Sequence, residues 1–409
     1  MSGKLLSFIV SLFFLCGSGA SAQNTAAITS VKGGDVIIPL KLATASENNV
    51  RVMLNGVETE YTVQEGGAIL LSSPSATGIY DITVSADGSD APVYTGKLVN
   101  LSRTVDRKVV FEEFTGFGCG WCPRGLVALE EARELYGRNI VLISAHFDDP
   151  ISCREYNLMK EPQLPSSHLD RRYMSIDPYY GTSGGGIAFG INEDIKKCME
   201  IAPEAEVNVE AYIEGDMLYA KSDVKFLFSG EGNYAVAFVV TEDGMHNEKW
   251  TQLNNYTQIK GLGFLEESDP KFDRWINGTN PLKGYVYDDV AIVAKGIKYG
   301  IDNSLPASFV EEESNTFEVE FDLKKLKKIQ NRKNLNVCAF VYDRTKKNIV
   351  NANYMSFEHE TAIEGVEADD ENVVETARCT VDGRMINTPE KGINIVKYSD
   401  GSVRKVVVR

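Results

Sequence analysis

Residues 108–123 read KVVFEEFTGFGCGWCP, and the fold turns on how that stretch is read. Its first part, 108–114, is β-branched and aromatic, the composition of a strand. Gly116-Phe117-Gly118-Cys119-Gly120 is a glycine-rich turn. Pro123 then opens a helix that runs to about 136, because proline fits the first helical turn, where its missing N–H is not needed. A second strand follows at 139–144, continuously apolar and suited to a buried sheet. After a polar, proline-marked stretch come Leu164-Pro165, a strand-like run to Asp170, and a helix over 187–201. Strand, helix, strand, insertion, strand, helix is an α/β order.

Between the first strand and its helix sits Cys119-Gly120-Trp121-Cys122. A C-x-x-C alone says little. At a strand-to-helix turn it predicts a thioredoxin-like domain with a redox-capable dithiol. The turn places Cys119 at the helix N-terminus, where free amide N–H groups and the helix dipole favour the thiolate. Cys119 is then the nucleophile and Cys122, further into the helix, the resolving thiol. Glu113 ends the first strand and is placed to lie under the dithiol and take the proton of Cys122; the other reading is a salt-bridged strand-end glutamate. A cis proline at Pro165, before the third strand, would set backbone opposite the sulfurs for an extended substrate; the other reading is an ordinary loop proline, and Pro162 is a rival. The predicted catalytic set is Cys119, Cys122, Glu113 and Pro165. Zinc would need four ligands, and beyond the two cysteines only His146, Cys153 and His168 are at hand, with no second C-x-x-C. No metal and no cofactor are therefore expected, and the histidines are read as surface or packed residues. His146, at the end of the second strand, is the one to watch.

The remaining sequence gives the setting. Lys4, the apolar stretch 5–15 and Ala20-Ser21-Ala22 form a secretory signal peptide, with cleavage after Ala22; lipidation at Cys16 is the competing reading. No other segment is continuously apolar over about 18 residues, so no membrane-spanning helix is expected. Export leaves six cysteines, of which Cys198, on a helical apolar stripe, and Cys338, inside a strand-like run, read as buried free thiols. The formal net charge of −16 argues against a nucleic-acid partner.

Residues 23–104 carry short β-branched runs with turn signals such as Asn55-Gly56 and read as an N-terminal, Ig-like β-sandwich domain. The thioredoxin-like domain is set at 105–204 and a second β-sandwich at 205–360. The second carries an irregular insertion, 242–285, with Trp250, Tyr256, Phe264 and Trp275. A lysine-rich helix is expected around Leu323, Leu326 and Ile329, with Lys324, Lys325, Lys327 and Lys328 outward. An acidic linker at 364–375 leads into a small β tail, so that 361–409 is an appendage with turns at Asp382-Gly383 and Asp400-Gly401. The fold class is thus α/β plus all-β.

Phe111-Glu112-Glu113-Phe114-Thr115-Gly116 with Cys119-Gly120-Trp121-Cys122-Pro123 resembles the E-x-F-T-G-x-x-C-x-x-C-P block of exported Bacteroidetes proteins related to the twenty-eight-kilodalton outer-membrane protein. Leu164-Pro165 with Asp170-Arg171, and Val341-Tyr342-Asp343 with Ile349-Val350-Asn351-Ala352, are similar to its later blocks, so the resemblance covers about 106–358. It implies a thioredoxin-like domain followed by a β domain, at or near the outer membrane. Trp121 stands where that family most often has asparagine. The tail, with Val381-Asp382-Gly383-Arg384, residues 392–397 and the basic end 403–409, looks like a type IX secretion sorting domain, which implies passage through the outer membrane and removal of the tail. The other reading is a terminal β meander packed on the sandwich. Together these imply an exported, periplasmic or surface-directed thiol–disulfide oxidoreductase whose partners are protein thiols or disulfides of the cell envelope. The alternative is a non-enzymatic outer-membrane or surface binding protein whose dithiol is a structural disulfide.

Overall fold

A computed structural model describes residues 27–38, 40, 50–64, 68–86, 92–357, 375–380, 384–386, 388–389, 392–399 and 403–408. The expected leader, the Cys16 alternative, most of the acidic linker and the two tail turns lie outside the described residues.

The N-terminal part is a two-sheet sandwich. Its strands are β1 (Ile28–Val31), β2 (Asp35–Ile38), β3 (Val50–Leu54), β4 (Val57–Glu58), β5 (Thr62–Val63), β6 (Ile69–Ser72), β7 (Gly78–Ala86) and β8 (Pro92–Leu101). One sheet runs β1-β8-β7-β3-β4 and the other β2-β6-β5. Alternating apolar residues of both sheets, Val36, Ile38, Val52, Ile69, Leu71, Ile82, Val84 and Leu98 among them, meet in one core. Asn55 and Gly56 both adopt positive φ, which is what a two-residue hairpin between β3 and β4 requires.

The α/β part follows as β9 (Val109–Thr115), α1 (Pro123–Tyr136), β10 (Ile140–His146), β11 (Ser166–Leu169), β12 (Tyr173–Ile176) and α2 (Ile191–Met199). β9 and β10 are parallel, β11 is antiparallel to β9, and the order β12-β11-β9-β10 with α1 after the C-x-x-C is that of a thioredoxin-like core. Every residue of β9 and β10 is buried, as expected for parallel strands covered on both faces. α2 begins at 191 rather than 187, because Phe189 takes a positive φ and Gly190 caps the helix.

The boundary expected between 204 and 205 is not a break in the sheet. The next strands are β13 (Ala205–Glu214), β14 (Met217–Phe226), β15 (Gly230–Glu231), β16 (Tyr234–Glu242), β17 (Thr251–Gln252), then the short helix α3 (Asp273–Ile276). After it come β18 (Leu282–Lys283), β19 (Val290–Lys295), β20 (Ser308–Phe309), β21 (Ser314–Asp322), β22 (Leu335–Asp343) and β23 (Asn348–Ser356). β19 pairs with β10 in parallel, and one eight-stranded sheet runs β12-β11-β9-β10-β19-β16-β22-β23. Its core is continuous: Val110, Phe114, Val141 and Ile143 share a cluster with Ala237, Val239, Ala291, Phe340 and Ile349. A separate three-stranded sheet, β13-β14-β21, is tied to β23 by Asn353 Nδ2 donating to Val207 O (2.9 Å) and Asn351 Nδ2 to Ala205 O (3.0 Å).

Two local expectations are corrected. The lysine-rich segment is not a helix but a single 3₁₀ turn, Leu323–Lys325, capped by the Asp322 side chain. Lys328 is not outward: its Nζ turns in and donates to Ser152 O at 2.6 Å. The chain divides into two compact units, and residues 356–409 with 330–336 form the second. There β24 (Glu375–Thr380), β25 (Gly392–Tyr398) and β26 (Val403–Val408) make a three-stranded antiparallel sheet. Among the described residues no helix is long and apolar enough to cross a membrane.

Candidate functional site

The dithiol lies where β9 turns into α1. Cys119 and Cys122 are joined as a disulfide, with Cα atoms 5.3 Å apart. Cys119 N donates to Gly116 O (3.0 Å), and Cys122 O accepts from Gly125 N (2.9 Å), which closes the turn and starts the helix. Cys122 is fully buried, whereas Cys119 is half-buried and Trp121 beside it is 37% exposed. Attack from solvent is thus open at the first sulfur and closed at the second. Gly116 is required by close approach, since a Cβ there would sit 2.7 Å from Phe147 O.

Glu113 lies directly beneath. Strand alternation points it to the α1 face, and Gly125 in the first turn of α1 leaves it room: a Cβ at 125 would be 2.1 Å from Glu113 Oε1. Ser144 Oγ donates to Oε2 at 3.3 Å. No ion pair reaches this carboxyl among the described residues, so the salt-bridged reading of Glu113 does not hold. Burial pushes its pKa up to about 8, and the Ser144 and Thr115 hydroxyls offset this only in part. Its neighbour Glu112 faces the other way and has the opposite fate. Arg171 grips it through Nε at 2.9 Å and Nη2 at 2.8 Å, and Tyr156 donates to it at 3.1 Å. Burial opposes that charge, but the Arg171 guanidinium outweighs it and holds Glu112 well below the usual carboxylate range.

Pro165 follows a cis peptide bond and is buried at the start of β11, whose register sets Ser166 opposite Phe114. Leu164 approaches Gly116 in the motif loop, and Pro162 is exposed outside the strand. The C-x-x-C turn and Glu113 lie at the C-terminal end of β9, and Leu164-Pro165 leads into β11, the strand paired with it.

The residues considered for zinc do not gather around the sulfurs. Cys153 is in the core of the opposite sheet face, and burial pushes its thiol up to about 12. His168 is buried on β11 with Nε2 2.7 Å from Glu161 Oε1. Only His146 shares the α1 face, with Nδ1 2.7 Å from Asp149 Oδ2. Cys198 and Cys338 are buried free thiols; Cys379 is free and half-buried.

Sequence reasoning missed the brace around the motif. The 242–285 insertion folds back on the C-x-x-C loop: Leu253 N donates to Phe117 O and Asn255 N to Gly120 O, both at 2.8 Å. Gln252 Nε2 points into the loop's carbonyls, 2.9 Å from Cys119 O and 3.3 Å from Gly116 O, while its Oε1 accepts from Tyr287 at 3.2 Å. Trp121 meets Tyr256 edge-on at 5.4 Å. An open cleft of about 610 Å³ beside Trp121 is lined by Arg124, Tyr180, Leu262, Phe264 and Glu266. The aromatics of the insertion, Trp250, Tyr256, Phe264 and Trp275 among them, were the available signal. Replacing Gln252 by Ala removes the amide donor shared by these carbonyls and the acceptor of the buried Tyr287 hydroxyl, so a loss of about 1–3 kcal/mol in stability and faster alkylation of Cys119 in the reduced protein are expected. Thermal melting and thiol-trapping rates equal to wild type would count against the brace.

No family model and no curated protein matches this chain. Among solved structures it is similar to HBP35 of Porphyromonas gingivalis, at 20% identity and a TM-score of 0.43, over 75% of this chain and 99% of that one. It is also similar to protein AGR_C_4864 from Agrobacterium tumefaciens, at 16% identity and a TM-score of 0.32, over 62% of this chain and 96% of that one.

Proposed function

We propose that this chain is an exported thiol–disulfide oxidoreductase of the cell envelope, working at the periplasmic or outer face on protein thiols and disulfides. The observation that carries the reading is the arrangement of a reachable Cys119 beside a buried Cys122, over a buried carboxyl that carries no ion pair. In the reducing direction the Cys119 thiolate attacks a partner disulfide, forming a mixed disulfide and releasing one partner thiolate. Glu113, once ionised, takes the proton of Cys122. The Cys122 thiolate attacks Cys119 and releases the second partner thiolate, so two electrons have passed from the dithiol to the partner. The reverse sequence oxidises a partner dithiol, and the potentials of dithiol and partner set the direction. Pro165, at the head of β11, offers backbone beside the sulfurs for an extended partner segment.

The test is to remove the resolving thiol. Cys122→Ser is expected to accumulate discrete mixed disulfides through Cys119 in the exported fraction of cells. They should disappear on reduction and when Cys119 is also replaced. If no partner is trapped and the wild-type protein neither reduces nor oxidises protein disulfides, the oxidoreductase reading falls and the dithiol is a structural disulfide.

A further inference from the structure

Trp121 stands between the two cysteines, an exposed tryptophan beside a reactive disulfide. It is not alone in facing water there. The cleft of about 610 Å³ beside it is lined also by Leu262, 67% exposed, and Phe264, 43% exposed. Large apolar side chains gathered around one open cleft mark a surface that receives something. The loop that carries two of them is built to hold them out. The Glu267 carboxylate accepts from Gly261 N at 2.6 Å, Gly263 N at 2.7 Å and Phe264 N at 3.1 Å, and Leu262 N donates to Ile259 O at 2.9 Å. Gly261 and Gly263 both take positive φ, which lets the chain curl around that one carboxylate. The Trp121 ring is held in turn by its edge-on contact with the buried Tyr256. A surface ordered before its partner arrives loses less freedom on binding.

The charged groups of the lining are already engaged. Arg124 Nε lies 3.1 Å from Asp177 Oδ2, and its guanidinium stands over the Tyr180 ring at 5.8 Å. Asp177 is fixed in its turn, since Oδ1 accepts from Tyr179 N and Tyr180 N at 2.9 Å each. Glu266 is buried and accepts from the Tyr256 hydroxyl at 3.3 Å. The exposed members of the lining are Trp121, Leu262, Phe264, Gly185 and Gly263, none of them charged. The cleft is also continuous with the reacting sulfur. Trp121 follows Cys119 by two residues, so their Cα atoms are at most about 7–8 Å apart. An extended partner advances about 3.3 Å per residue, so a side chain two or three residues from its cysteine falls beside Trp121.

We infer that this cleft is a specificity pocket that takes a large apolar side chain, aromatic or aliphatic, two or three residues from the reacting cysteine of an extended partner segment. The inference rests on the oxidoreductase reading and names its substrate class: protein chains not yet folded, whose cysteines lie among core-forming residues. Cysteine and the large apolar residues are those most often buried together, and such a segment is within reach only before its fold closes. While the mixed disulfide through Cys119 lasts, contact with Trp121, Leu262 and Phe264 holds the segment in place, and a small polar thiol has nothing to offer them.

The test measures attack on peptide disulfides. Short glycine–serine peptides carry a central cysteine capped with thionitrobenzoate and, two residues to either side of it, phenylalanine, leucine, lysine, glutamate or glycine. The Cys119 thiolate of the reduced Cys122→Ser protein attacks the peptide sulfur and forms the mixed disulfide. The thionitrobenzoate anion leaves with the electron pair of the broken S–S bond, and its absorbance gives the rate. The same protein with Cys119→Ser added is the blank for the other thiols. The phenylalanine and leucine peptides are expected to react about tenfold faster than the glycine peptide, and the lysine and glutamate peptides no faster than it. Leu262→Ser with Phe264→Ser should bring the preference below about twofold. Leu262→Ser alone should lower it about threefold, and it decides should the double variant fail to fold. Equal rates for all peptides, a preference for glutamate, or a preference that survives the substitutions overturns the pocket. So does a dimer in sedimentation that these substitutions dissociate, because the face then belongs to a second copy of this chain. Level peptide rates together with trapped cellular partners remove the pocket and leave the proposed function standing. Peptides sorted by their apolar residue, with no protein disulfide exchanged by the wild type, remove the proposed function and leave the pocket.

Discussion

Glu113→Gln is expected to abolish the loss of stability that this residue causes as pH rises and to slow resolution by Cys122. The ordinary carboxyl value for this residue is 4.5, and burial raises it to about 8 in the folded protein. Below the ordinary value both folded and unfolded chains hold the proton, and burial of the neutral acid costs little. As pH rises, the unfolded chain ionises while the folded one cannot, so stability is lost progressively until the folded value is passed. Across that window the loss is on the order of a few kcal/mol, at about 1.4 kcal/mol per pH unit. Glutamine keeps the shape and removes the titration, at the expense of a buried amide N–H₂ facing Gly125. The variant should therefore be equal to or slightly less stable than wild type at pH 4 and clearly more stable at pH 9. Denaturant midpoints at the two pH values check this, and a variant-to-wild-type difference that does not change with pH defeats it. The kinetic counterpart has the opposite sign. Without a base under Cys122, the second step of exchange should fall about a hundredfold at neutral pH. Higher stability together with a slower second step separates a functional carboxyl from a merely misplaced one.

The disulfide pair was legible because local order fixes it: a strand, a glycine turn and a proline-headed helix put Cys119 and Cys122 at a helix start whatever follows. Glu113 and Pro165 were singled out by their distance from that turn. The tandem of Glu112 and Glu113 shows the limit. Alternation puts them on opposite faces, but nothing local tells that Arg171 reaches one while, among the described residues, no cation reaches the other. The continuation of the sheet was out of reach for a similar reason. Ser144 pairs with Val290 although eight strands, β11 to β18, lie between them in the chain, and a strand's sequence carries no label for its neighbour. The strand Val290–Lys295 lies in the range expected as a separate β-sandwich, 205–360, and extends the sheet of the thioredoxin-like strands instead. Gln252 could not be singled out at all, since a glutamine whose amide serves carbonyls of a distant loop looks like any polar residue in a long insertion. Lys328 was misread because it and its three lysine neighbours, Lys324, Lys325 and Lys327, look alike in sequence, while its Nζ turns in to Ser152 O.

Arg171→Ala should be the most damaging single substitution in the α/β part. Arg171 and Glu112 are both buried, and the pair is held by two charge-assisted hydrogen bonds. The guanidinium also donates to Lys298 O at 3.2 Å and stands over Phe340 and Tyr342 of β22 at 5.1 and 5.6 Å. It therefore ties the turn after β11 to the half of the sheet that sequence had assigned elsewhere. Asp170 and Arg171 both take positive φ, a conformation that needs such anchoring in residues other than glycine. Truncation leaves Glu112 in the core without its guanidinium, with Tyr156 and His168 as its remaining neighbours, for which about 3–5 kcal/mol is the expected loss. The pH dependence identifies the cause. In the wild type Glu112 has a depressed value, so its contribution is present above the ordinary carboxyl range and is lost only as pH falls through the folded value. In the variant the acid must bind a proton to stay buried, so the deficit should be largest near neutral pH and shrink towards pH 4. Arg171→Met combined with Glu112→Leu removes both charges and should recover most of the stability. A deficit under about 1 kcal/mol, or one independent of pH, would mean that the stacking on β22 and not the buried pair holds this corner. Glu112 is the residue before Glu113, so its release also lets the floor of the dithiol site shift. Exchange through Cys122 should accordingly weaken in Arg171→Ala and return in the double variant.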